Sequence, residues 1–159
     1  MKKILVTYFT ASEGRVTEKV AKALANEVGA DLFEIKPQKL YTGADIKWVN
    51  PFARCNKEKL GKKDVPVSGK VENMDEYDLV LIGFPIWYGG APNVVNTFVK
   101  GYDFSGKKIA LFATSDMSGI GKSAEKLKPY LSESADIVDA KLFKPSVTSD
   151  ELKGWVEGL

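Results

Sequence analysis

Short β-rich apolar runs alternate along this chain with longer amphipathic stretches, and that alternation is the pattern of βα units wound around a mainly parallel sheet. Five runs read as strands: Ile4 to Phe9, Asp31 to Ile35, Tyr77 to Gly83, Lys108 to Thr114 and Ile137 to Phe143. Between the first two, Val16, Val20, Leu24 and Val28 recur at helical spacing and Gly29 supplies a stop, so Val16 to Val28 is predicted to be a helix. Helices are expected after the last three runs as well. A parallel five-stranded sheet with helices on both faces, an α/β architecture of three layers, accommodates these elements. The stretch from Pro37 to Lys70 is too long for an ordinary connection in a compact domain; it is lysine-rich with scattered aromatics, and is expected to hold some helix and a functional or shielding loop.

Length and composition support one folding unit. The 159 residues, 44% of them hydrophobic, suit a single core spanning residues 1–159, and no internal repeat or low-complexity segment divides them. The 23 basic and 21 acidic side chains form no long block of one sign, so nothing points to nucleic acid or to a membrane surface. The opening MKKILVTYF reads as a buried first strand rather than a signal peptide, because its apolar run is broken at Thr7. The longest apolar stretches fall far below the roughly 18 residues that span a bilayer. A cytoplasmic location is therefore expected. Histidine is absent and Cys55 is the sole cysteine, which effectively excludes catalytic triads built on histidine, an intrachain disulfide and cysteine-based zinc sites.

In an open α/β sheet, ligands bind outside the carboxyl ends of the strands, where three loops of this chain carry unusual residues. The first, TASEGRVT, gathers the hydroxyls of Thr10, Ser12 and Thr17, a flexible Gly14, and the backbone of Val16 at a helix N-terminus. Such donors suit a phosphate group, with Arg15 able to add a charge-assisted bond; the same Thr10 and Ser12 also suit simple helix capping. The second, PIWYGGAP, sets Trp87 and Tyr88 between Pro85, Ile86 and the pair Gly89 and Gly90. Adjacent aromatics on a stiff loop form a platform for a planar ring, although either ring could equally pack into the core. The third, TSDMSGIG, brings Thr114, Ser115, Asp116, Ser118 and Gly119 after a buried strand, as a border for the far side of the same ring. Gly121, Lys122 and Ser123 imitate the end of a P-loop, but Asp116 stands where its first glycine is required. A receiver domain needs acidic residues where Tyr8, Phe9 and Thr10 close the first strand.

Taken in order, YFTASEGRVT, ADLFEI (Ala30 to Ile35), PIWYGGAP, YDFSGK (Tyr102 to Lys107) and TSDMSGIG resemble the loops of the flavodoxin family, in particular its short bacterial members with PIWW-type and TSGGSGIG-type loops. The resemblance covers essentially the whole chain. It implies a doubly wound flavodoxin-like fold with strand order 2-1-3-4-5. It also implies flavin mononucleotide (FMN), with its phosphate in the first loop and its tricyclic ring between the second and third. Three departures stand out. The phosphate loop is two residues longer than the usual form, Tyr88 replaces a tryptophan, and Asp116 and Met117 replace glycines. A carboxylate at Asp116 would oppose added negative charge on a reduced flavin and lower its second-electron potential.

The resemblance implies an electron carrier, in which the cofactor does the redox chemistry and no catalytic residue is needed. A backbone carbonyl near Gly89 is expected to turn toward the flavin N5 as that atom gains a proton. The main alternative is an NAD(P)H-dependent FMN oxidoreductase acting on quinones or similar small acceptors. Flavodoxin carriers are as a family strongly acidic for docking on basic partners, and the net charge of +2 gives little such steering. A third possibility is a cofactor-free binding module of the same fold. Partners are accordingly redox proteins, or NAD(P)H and a small acceptor, with no nucleic acid and no membrane.

Overall fold

The computed structural model describes residues 3–11, 15–47, 49–60, 64–87, 89–114 and 119–159. Along the chain run β1 (Ile4–Tyr8), α1 (Val16–Val28), β2 (Asp31–Glu34), β3 (Lys36–Pro37), α2 (Arg54–Leu60), β4 (Val67–Ser68), β5 (Leu79–Pro85), α3 (Asn93–Lys100), β6 (Lys108–Thr114), α4 (Ser123–Leu127), β7 (Asp136–Leu142) and α5 (Ser149–Glu157). The main sheet has the order β2-β1-β5-β6-β7 and every pairing in it is parallel. Setting aside the two short strands β3 and β4, this is the expected 2-1-3-4-5.

The side-chain period of two explains the layering. Leu5, Val80, Ile82, Ile109 and Leu111 enter one apolar cluster with Val94, Val95, Phe98 and Val99 of α3 and Leu127 of α4. Their neighbours Val6, Tyr8, Leu79, Leu81, Ala110 and Phe112 enter the opposite cluster with Val20, Ala21 and Leu24 of α1 and Leu152 and Trp155 of α5. Both faces of the central strands are thereby covered, which is why β5 and β6 read as unbroken apolar runs. Gly83 sits mid-strand because a Cβ there would meet the ring of Phe112 at 2.2 Å. At one edge, β7 exposes Asp136, Asp139 and Lys141 in place of a continuous apolar row.

Four of the five strands differ from expectation at their limits: β1 ends at Tyr8 and β2 at Glu34, one residue early in each, while β5 and β7 are shifted. Tyr77 belongs to a turn, its N–H donating to Met74 O, and β5 continues through Pro85, which pairs with Thr114. Phe143 lies just past β7, although its N–H still reaches Ala113 O. The 37–70 stretch forms a closed lobe. β3 and β4 pair antiparallel at its base, and Gln38 N–H donates to Pro66 O beside them. The lobe contains the expected helix, α2, and it is pinned inward by buried Ala53, Cys55, Asn56, Glu58 and Val65. No helix among the described residues is long and apolar enough to cross a membrane.

Candidate functional site

Parallel strands deliver their loops to one edge, so the segments after β1, β5 and β6 share the carboxyl end of the sheet. Thr10 lies two residues past β1 and is buried, yet its hydroxyl has no hydrogen-bond partner among the described residues. It therefore does not cap α1. Arg15, in the left-handed conformation (φ 49°), precedes that helix and supplies no side-chain cap, and Val16 is its first helical residue. A cavity of about 250 Å³ is lined by Thr10 and Arg15 together with Phe9, Glu34 and Tyr41. An unpaired hydroxyl beside the positive end of a 13-residue helix is a setting in which an anion is stabilised.

The remaining residues of this loop are held in specific ways. Arg15 pairs with Glu18, and at 3.1 Å with Glu34, so its guanidinium must exchange partners before it can serve a phosphate. The Arg15 and Lys22 cations beside Glu18 keep that carboxyl below its ordinary value. The Thr17 hydroxyl lies 2.7 Å from that of Thr114, joining α1 to the end of β6 rather than facing outward. Ser12 and Gly14 lie outside the described residues.

The second loop is organised around Trp87. Ile86 N–H donates to Thr114 O (3.1 Å), and Trp87 and Gly90 exchange backbone hydrogen bonds of 2.8 and 3.2 Å, closing a tight turn through Gly89. The indole is braced by two edge-on rings, Phe9 at 5.8 Å and Tyr41 at 5.3 Å, and those two rings meet each other at 5.5 Å. Each such contact contributes about 0.5–1.5 kcal/mol beyond area burial. Tyr41 comes from the lobe and is held there in turn. Its hydroxyl donates to buried Glu58, and the Arg54 guanidinium stacks 3.8 Å from its ring centre while bonding Glu58 at 3.4 Å. Burial first, and the Glu58 hydrogen bond second, push the Tyr41 phenol up, so it remains a donor at neutral pH. Tyr88 lies outside the described residues.

The third loop touches the second. Gly121 has φ +58°, and a Cβ at that position would stand 2.9 Å from Gly89 O, so only glycine allows these backbones to meet. Two cations border the same turn: Lys59 Nζ donates to Ala91 O at 2.8 Å, and the Lys126 side chain lies against Gly89 and Gly90. Burial, and then Lys126, lower the Lys59 pKa. Ser123 donates to Ile120 O at 2.5 Å, which uses its hydroxyl within the turn. Gly119 is described; Ser115, Asp116 and Ser118 are not.

Two aspects of the site are not legible in the sequence. The Arg54–Glu58 brace is visible there as an i,i+4 pair of opposite charge, but nothing in the sequence joins it to Tyr41 and Trp87. The Lys59 and Lys126 pair is separated by 66 intervening residues and has no local signal.

This strand order, with an aromatic-bearing loop after the central strand and hydroxyl-bearing loops on either side, defines a flavodoxin-like α/β protein. A flavodoxin family model matches residues 3–159, and the chain belongs to that family. It is similar to a candidate flavoprotein from Bacteroides eggerthii DSM 20697, at 36% identity over 99% of this chain and 98% of that one with a TM-score of 0.90. A second, from Bacteroides uniformis ATCC 8492, gives 33% identity over 98% of each chain and a TM-score of 0.88. A Lactobacillus acidophilus NCFM flavoprotein in complex with FMN shares the fold, with 21% identity, coverage of 98% and 99%, and a TM-score of 0.70. Flavodoxin 1 of Escherichia coli (strain K12) is 33% identical over 86 residues, so the match spans about half the length of each chain.

Proposed function

We propose that the chain binds one FMN non-covalently and carries electrons with it in the cytoplasm. The observation that carries this reading is a buried Thr10 hydroxyl, without a partner among the described residues, in one cavity with the Arg15 cap of α1 and on the same sheet edge as a tryptophan braced by two rings. These groups fit the two ends of such a molecule. Thr10, Ser12, Gly14 and Val16 would hold the phosphate, with Arg15 joining after exchanging a carboxylate and Thr17 bracing the start of α1 through Thr114. Trp87 and Tyr88 would flank the ring, and Gly89, Thr114, Ser115, Asp116, Ser118 and Gly119 would line its edges. FMN supplies the redox chemistry when bound. The protein would orient it, shield one face with the Trp87–Tyr41–Phe9 wall, and set the local charge with Lys59 and Lys126, Asp116 being the expected acidic counterpart. An FMN-bound relative in fold supports the cofactor assignment.

A second reading, an NAD(P)H-dependent FMN oxidoreductase, is favoured by the cations Lys59 and Lys126 beside the Gly89 turn, which would attract an anionic hydride donor. One experiment separates the two. Apoprotein titrated with FMN should quench its fluorescence and resolve its visible bands, and the loaded protein mixed anaerobically with NADH or NADPH should stay yellow. Rapid bleaching would establish the oxidoreductase, and a folded sample that never takes up FMN would end both readings.

A further inference from the structure

The lobe, taken with the strands β3 and β4 at its base and the residues up to Lys70, differs in charge from the rest of the molecule. Residues 36–70 hold nine Lys and Arg against three Asp and Glu, an excess of six positive charges, whereas the remainder holds fourteen against eighteen, an excess of four negative. Two of the three lobe acids are committed elsewhere: Glu58 is buried under Tyr41 and Asp64 pairs with Lys100 outside the lobe at 2.7 Å, while Asp45, which accepts the Thr42 N–H at 2.9 Å, offsets part of the charge of Arg54 and Lys39. Lys39, Lys47 and Lys57 are exposed. Among them lie three large, mostly exposed apolar side chains: Leu40, at the rim of the Thr10 cavity, is 65% exposed, Val49 74% and Phe52 77%.

Side chains of α2 hold the segments that carry these residues against the start of that helix. Arg54 Nη1 donates to Lys39 O (2.8 Å) and Leu40 O (3.3 Å), and Asn56 Nδ2 donates to Asn50 O (2.6 Å), between Val49 and Phe52. Tyr41, next to Leu40, is in ring contact with Trp87. The patch therefore borders the aromatic wall of the site.

We infer that this lobe is the docking surface for an acidic redox protein whose carboxylates meet Lys39, Lys47 and Lys57 around an apolar contact made by Leu40, Val49 and Phe52. Charge selects the partner. A lysine-rimmed patch steers an acidic surface toward the site and repels a basic one, the reverse of the polarity described above for acidic carriers. Apolar anchors ringed by charge match the core-and-rim construction of a protein interface. The inference rests on the proposed function only for what passes between the partners; the docking itself needs no flavin.

The test uses the full chain, ¹⁵N-labelled, titrated with an acidic [2Fe–2S] ferredoxin as probe and with basic cytochrome c as control. Expected are amide perturbations at Lys39, Leu40, Lys47, Phe52 and Lys57 with ferredoxin and none with cytochrome c. Binding should weaken about tenfold or more as salt rises from about 20 to about 200 mM. Lys39→Glu with Lys47→Glu, and separately Phe52→Ser, should each weaken it by about tenfold while circular dichroism stays unchanged. Preference for cytochrome c, perturbations on another face, binding to anionic vesicles instead, or self-association abolished by Phe52→Ser would overturn the inference. If ferredoxin docks but FMN does not bind, the surface stands and the flavin reading falls; if FMN binds but ferredoxin does not dock, the flavin reading stands and the surface falls.

Discussion

A threonine hydroxyl buried without a partner forfeits hydrogen bonds it would have made with water, a cost of about 1–3 kcal/mol. Thr10 carries that cost in the folded chain. Thr10→Val keeps the shape and removes the polar atom, so urea unfolding of the flavin-free variant should show equal or greater stability. The same variant should bind FMN about tenfold to a hundredfold more weakly, because one hydrogen bond to a charged group is lost. Unchanged affinity in a titration would show that Thr10 serves packing alone. Lys59 allows a second test at this scale. Its folded-state pKa lies below the 10.5 of an unfolded lysine, so the unfolded chain binds more protons in that interval. Stability should therefore rise as pH climbs from the depressed value toward 10.5, and Lys59→Met should flatten that rise in urea midpoints measured across the range. An equal slope in both proteins would place the lysine's burial in doubt.

Among elements, α2 has an importance its seven residues would not suggest. Arg54 and Glu58 hold Tyr41, and Tyr41 holds Trp87, so a pair on a helix far along the chain sets the orientation of a ring at the site. Glu58→Gln and Tyr41→Phe should each shift the ¹⁹F resonance of 5-fluorotryptophan at Trp87, assigned by its loss in Trp87→Phe. The two substitutions should be non-additive by about 1 kcal/mol in unfolding. A Trp87 signal indifferent to both would detach the helix from the site. The elements themselves are largely legible in the chain. Helix α1 has its expected limits because Val16, Val20, Leu24 and Val28 make one apolar stripe and Gly29 ends it. The strand limits differ where hydrogen bonding overrules composition: Tyr77 looks like strand but closes a turn, and Pro85 looks like loop but sits in register opposite Thr114. The hairpin of β3 and β4 gives no signal, since two-residue strands leave no period to detect.

For the molecule as a whole, the parallel sheet follows from apolar runs and βα alternation, its strand order is implied by the family resemblance, and that order brings the three unusual loops to one edge. The contents of the site are only partly visible. Trp87 reads as a ring platform, but its supports Phe9 and Tyr41 read as strand and lobe, because edge-on ring contacts join residues far apart in sequence. Thr17 and Thr114 read as separate ligand donors, whereas the fold makes them partners across 97 residues. A net charge of +2 likewise conceals a basic lobe on an acidic body, since a sum cannot record placement.

The outermost strand β7 has a consequence of its own. A sheet grows when a neighbouring molecule lays a strand along an open border, and identical borders meeting side by side would bring Asp136 and Asp139 of one copy near those of the other. Drying these carboxylates and the neighbouring Lys141 as the strands close makes a strand added at this border unfavourable. Crowded molecules are thereby discouraged from fusing into ribbons along β7.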